Sequence, residues 1–107
     1  MPTTYKILGQ LTGSNSNQNL YTVPSEKHTV TSTLVVTNRS TASGSYRLMA
    51  IPSGSTLTSA SYLAFDVGIG GNDTSAFTLG LTFNQGDKLD VYGLPTGSFN
   101  LFGSEIS

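Results

Sequence analysis

Phe77-Thr78-Leu79-Gly80-Leu81-Thr82-Phe83 decides the fold class. Its apolar residues stand at every second position, with Thr, Gly and Thr between them. That spacing fits a strand with one buried face, where side chains alternate between two sides, and no helix at 3.6 residues per turn produces it. Working outward, Tyr5 to Leu8, Leu20 to Val23, Val30 to Thr37, Tyr46 to Ile51, Tyr62 to Val67, Leu89 to Leu94 and Phe99 to Phe102 are likewise rich in aromatic or β-branched residues. Together they predict about eight strands.

Gly, Pro, Asn, Asp and Ser cluster between these stretches, at Gly13 to Asn19, Pro24 to Lys27, Asn38 to Ser45, Pro52 to Ser55, Gly68 to Ser75, Asn84 to Asp87 and Pro95 to Gly97. Each is read as a turn, with Gly13 to Asn19 as a long loop after the first strand. The only helix candidate, Thr56 to Ser61, is short and rich in Ser and Thr. The expectation is an all-β chain: a single antiparallel β-sandwich over residues 1–107, jelly-roll or immunoglobulin-like, with almost no helix. At 107 residues the chain fits one domain of modest stability.

The alternation also sorts residues by face. Val30, Leu34 and Val36 share one side of their strand, and Tyr46, Leu48 and Ala50 one side of theirs; these are the core candidates. On the opposite faces Val35, Met49 and Ile51 are expected to point outward. With only 10% charged residues to keep such a patch soluble, they are read, together with Tyr62 and Tyr92, as a candidate protein interface.

Composition narrows the function classes. Ser and Thr number fifteen each, so the surface is hydroxyl-rich rather than ionic. Five basic residues against six acidic ones, scattered along the chain, form no positive stripe for a phosphate backbone or an anionic membrane. There is no cysteine, which removes disulfides and thiolate metal sites. Met1 to Gln10 alternates polar and apolar residues, unlike a signal peptide, and no apolar run has the length of a membrane span. A soluble protein made in the cytoplasm is expected.

Chemistry-bearing residues are sparse. His28 is the only histidine, and its place at the start of a Thr-rich strand reads as a surface turn rather than part of a triad. Glu26, Asp66, Asp73, Asp87, Asp90 and Glu105 are read as solubilising rather than as a catalytic pair. Gly68, Gly70 and Gly71 before Asn72-Asp73 lack the lysine of a phosphate-binding loop and the third carboxylate that calcium needs. Asn38-Arg39-Ser40 and Asn72-Asp73-Thr74 match the glycosylation triplet, but both asparagines are better read as turn formers. No catalytic residue, cofactor or metal is expected. Tyr5, Tyr21, Tyr46, Tyr62 and Tyr92 are assigned to core and interface, ahead of a carbohydrate-stacking face.

The order of several segments carries a resemblance: Thr4-Tyr5-Lys6-Ile7-Leu8-Gly9-Gln10, Leu20-Tyr21-Thr22-Val23-Pro24, Ser32-Thr33-Leu34-Val35-Val36-Thr37-Asn38-Arg39, Asn72-Asp73-Thr74, Thr78-Leu79-Gly80-Leu81-Thr82, and Ser98 to Ile106. Over nearly its whole length the chain resembles a family of small virion structural proteins of tailed bacteriophages. The resemblance implies a location in the virion and no active site. Its first implication is a capsid decoration or cement protein, forming homo-oligomers and binding the major capsid protein. The alternatives are an adaptor in the tail, neck, baseplate or fibre, bound to tail proteins, and a carbohydrate-binding module that contacts the host surface.

Overall fold

The computed structural model describes residues 3–78 and 80–107. It is all-β and antiparallel, with strands β1 (Thr3–Thr22), β2 (His28–Asn38), β3 (Gly44–Ile51), β4 (Tyr62–Ile69), β5 (Thr74–Thr78), β6 (Thr82–Phe83) and β7 (Lys88–Ile106). One 3-10 turn, Ser59–Ser61, falls within the sole helix candidate.

The stretch from Phe77 to Phe83 is divided between β5 and β6, both paired with β2; Leu79 lies outside the described residues. The alternation survives the division. Phe77 and Leu81 pack against the core and Phe83 is buried, whereas Thr78 and Thr82 are exposed. The division sits beside a bulge in β2 between Thr31 and Thr33. There the Thr31 amide donates to the Leu81 carbonyl at 2.9 Å, and the Leu81 amide donates to Thr31 Oγ1 at 3.1 Å. An extra residue reverses which parity faces inward. Thr29 and Thr31 are therefore buried before the bulge, and Leu34, Val36 and Asn38 after it. Val30, expected in the core, is exposed for this reason.

The strands read as separate pairs at the two chain ends are fused. Tyr5 to Leu8 and Leu20 to Thr22 belong to one ladder: β1 runs antiparallel to β7 from Thr3↔Ile106 to Thr22↔Lys88. Residues of β7 that pair with β1 also pair with a second strand: Phe102 lies opposite both Ile7 and Thr33, and Gly93 opposite both Ser14 and Tyr46. Hence β2 and β3 follow one another along one edge of β7 while β1 occupies the other. Fully extended, the twenty residues of β1 would span about 66 Å, but the longest dimension of the molecule is 45 Å. The ribbon must bend.

It bends where Gly, Ser, Asn and Pro were read as turns. Between Thr12↔Ser98 and Ser14↔Gly93, β7 carries the surplus residues; between Ser14↔Gly93 and Gln18↔Val91, β1 does. Gly93 (φ 103°) and Leu94 (φ 52°) take left-handed conformations there. Gly13 to Asn19 is thus an irregular part of β1 rather than a loop, and Pro95 to Gly97 a kink within β7 rather than a turn between strands. As a result Gly9 approaches the Leu20 carbonyl of its own strand so closely that no Cβ would fit. The seven strands form one sheet, curled into a half-barrel rather than laid out as two separate sheets.

The curl encloses the core. Tyr46 from β3 meets Phe77 from β5 and Phe99 from β7 edge-on, with ring centroids 6.1 and 6.2 Å apart. Leu34, Val36, Leu89, Val91 and Leu101 fill the space around them. Met49 and Ile51, expected to point outward, are instead 0% and 7% exposed. The unbroken pairing of β3 with β7 from Tyr46 to Ile51 does alternate their sides, but this end of β3 is covered. The 3-10 turn packs against β3, and Met49 pairs with Tyr62 at the start of β4. Alternation assigns a side; it does not say whether another segment lies on it.

Candidate functional site

Arg47, on β3, is the centre of the most developed surface arrangement. Its neighbours on β4 are set by a bulge: Tyr46 pairs with Val67 and Leu48 with Ala64, so Phe65 and Asp66 together oppose Arg47. In a regular strand these two adjacent side chains would point to opposite faces. Here Asp66 adopts a left-handed backbone (φ 51°), and both reach the same guanidinium. Arg47 Nε donates to Asp66 Oδ1 at 2.6 Å and Nη2 to Oδ2 at 3.3 Å. The guanidinium carbon lies 4.1 Å from the Phe65 ring centroid and 4.7 Å from that of Tyr92 on β7. Tyr62 meets Phe65 edge-on at 4.9 Å. Hydrogen bonding by Arg47 holds the Asp66 carboxyl below the usual carboxylate range, and the same bond raises the guanidinium.

Beside this cluster runs a groove of about 620 Å³. It is lined by Tyr92, Arg47 and Asp66, by Ser40 and Ser43 from the β2–β3 connection with Ser45 at the start of β3, and by Gly93 to Thr96. Asn38 at the end of β2 fixes the connection. It is buried, its Nδ2 donates to the carbonyls of Ala42 at 2.9 Å and Gly70 at 3.2 Å, and its Oδ1 accepts from the Ser40 amide at 3.0 Å. No family model, curated protein or solved structure matches the chain. The site therefore stands on its own geometry.

Of the residues named from the sequence, Tyr62 and Tyr92 come together through Phe65 and Arg47. Val35 is half-buried on a different part of the sheet, between Ala76 of β5 and Asn100 of β7. Met49 and Ile51 are withdrawn from the surface altogether. The tyrosines divide by role: Tyr46 is core, Tyr21 is buried in a polar contact, and Tyr5 is 83% exposed. Tyr5 and Tyr21 share β1 instead of lying on separate strands. His28 is exposed. Among the described residues no three His, Cys, Asp or Glu side chains gather as a metal cluster.

Besides Arg47, two features of the fold are not legible in the sequence. One is a stretch of exposed apolar surface at the end of the sheet where Thr3 pairs with Ile106. Because Tyr5 and Val30 both pair with Ser104, and Ile7 pairs with Phe102 two residues away, these side chains share the outer face of β1, β7 and β2. They line a shallow groove of about 490 Å³. The other is a buried carboxylate. The Tyr21 hydroxyl donates to Glu105 Oε2 at 2.6 Å and accepts from Thr29 Oγ1 at 2.7 Å, while Lys6 Nζ lies 3.1 Å from Glu105 Oε1. Only spacing along the folded chain could reveal it, since Tyr21 and Glu105 are far apart in sequence.

Burial alone would raise the Glu105 carboxyl, but the hydrogen bonds from Tyr21 and Lys6, with the charges of Lys6 and Lys27, outweigh it and leave the group below the usual range. Burial and the adjoining carboxylate keep the Tyr21 phenol protonated well past its ordinary value. A carboxylate lowered in the folded state stabilises it above its unfolded pKa of about 4.3, and that contribution is lost as pH falls through the folded value. Glu105→Gln is expected to cost about 1.5 kcal/mol at neutral pH, a figure reduced for the solvent-screened Lys6. Urea denaturation of both proteins should show the difference shrinking below about pH 4; a difference constant with pH would remove the carboxylate's role.

Proposed function

We propose that this protein is a structural component of a tailed-bacteriophage virion, a capsid decoration or cement protein that acts through protein–protein contacts rather than catalysis. The observation that carries the reading is the apolar strip of exposed Tyr5, Ile7 and Val30 with half-buried Phe102, lying beside the free edge of β1. Among the described residues β1 pairs only with β7. Long edge strands of soluble proteins are guarded by charge or proline. In Thr3 to Thr12 the only charged residue is Lys6, and it is engaged with Glu105. A free edge with a single charge, itself engaged, next to an apolar strip suits a chain whose working state is assembled, against the shell and against other copies of itself. The curled sheet is read as a sandwich-like variant, its two halves facing each other through Tyr46, Phe77 and Phe99.

Purified protein is expected to bind empty expanded heads of its own phage, and Ile7→Lys to reduce that binding at least tenfold, equivalent to about 1.4 kcal/mol. Quantitative gels of intact virions should give a copy number comparable with that of the shell subunit. Wild-type protein that leaves heads unbound would exclude decoration. A copy number matching tail components would favour the adaptor role instead.

A further inference from the structure

We propose that the groove beside Arg47 binds a neutral saccharide, with Tyr92 as the stacking surface and Arg47 and Asp66 as the paired hydrogen-bonding groups. The proposal is independent of how the protein is held in a particle.

The groove is polar but carries no uncompensated charge. Arg47 and Asp66 are its only ionised lining residues, and each is matched by the other. A phosphate, a sulfated sugar or a nucleotide would have to compete with Asp66 for the guanidinium. A neutral ligand would not. Arg47 uses two of its N–H groups on Asp66, so three of the five that any guanidinium carries remain as donors. Each Asp66 oxygen retains accepting capacity. A donor and an acceptor locked side by side suit two neighbouring hydroxyls of a pyranose, one accepting from Arg47 and the other donating to Asp66.

The aromatic component is also in place. A sugar ring presents C–H groups on one face, and a tyrosine offers an apolar ring with a polar tip. Tyr92 lines the groove itself; Arg47 lies over one face of its ring, so the opposite face is the one left to a sugar. Ser40, Ser43 and Ser45, which line the same groove, supply further hydroxyl partners. The volume of about 620 Å³ lies within the range common for small-ligand sites.

The lining is preformed. The β4 bulge aims Phe65 and Asp66 at one guanidinium, and Asp66, Gly93 and Leu94, all with left-handed backbones, line the groove together. Such conformations are costly for residues other than glycine and concentrate where a structure holds a fixed binding geometry.

The test is a titration of the intact protein with maltohexaose, cellohexaose, mannohexaose and chitohexaose, followed by amide NMR shifts, with inorganic phosphate as the charged probe. At least one neutral oligosaccharide is expected to saturate at millimolar concentrations, with shifts centred on Arg47, Asp66 and Tyr92. Tyr92→Ala should weaken it about tenfold or more, while Tyr92→Phe retains it. Melting curves establish whether each variant is folded; if Tyr92→Ala is not, Asp66→Ala must show the loss. Failure of all four sugars to saturate, unchanged affinity in the folded variants, or phosphate binding in their place would overturn the assignment. None of these results bears on head binding through the Tyr5 face, so the two readings fail separately.

Discussion

Phe99→Ala is expected to lower the free energy of unfolding by about 4 kcal/mol. Phe99 is fully buried and edge-on to Tyr46, at the point where β7 beyond its kink faces β3. Truncation removes the ring's transfer free energy and leaves a cavity between the two halves of the curled sheet, whose β-ladders restrict collapse. A loss of that size takes most of the margin from a domain with a total stability of about 5 to 15 kcal/mol. Urea denaturation provides the measurement, and Phe65→Ala the comparison. Phe65 is more than half exposed, so its truncation should cost about 1 kcal/mol or less. Equal costs would mean that the sheet does not close on Phe99 as described.

Gly13→Ala is expected to cost about 3 kcal/mol, lowering the melting temperature by on the order of 15 °C. Its physical origin is different, because nothing is removed. Gly13 sits where β1 crosses the kink of β7, and a Cβ there would fall on the carbonyl oxygens of Gly93 and Leu94. Both obstacles are backbone and cannot rotate aside, so the bend itself must open. Gly68→Ala supplies the control: a Cβ there meets nothing, and the change should remain within about 0.5 kcal/mol. Thermal melts of both variants that superimpose would show that the bend does not depend on this close approach.

The two variants also separate what can be read along the chain from what cannot. Phe99 was legible as a strand residue from its aromatic neighbourhood. Gly13 was read as part of a loop, because Gly, Ser and Asn signal any departure from regular extended backbone. A turn that ends a strand and a bulge that bends one use the same residues. The candidate site shows the same division. Tyr62 and Tyr92 were picked out as surface aromatics, but Arg47 was not. Its importance arises only when the β4 bulge brings Phe65 and Asp66 to it from the neighbouring strand.

By itself the sequence determined that this protein is all-β, where most of its extended stretches lie, and which residues share a side between irregularities. Those properties follow from the two-residue period of a strand, which is local. Tertiary structure alone decided which stretches join into one strand, that the sheet curls, that Met49 and Ile51 are covered while Val30 is exposed, and that Glu105 meets Tyr21. Each depends on where a bulge falls or on which distant segment packs against a face, and one extra residue in a ladder is enough to reverse every side chain beyond it.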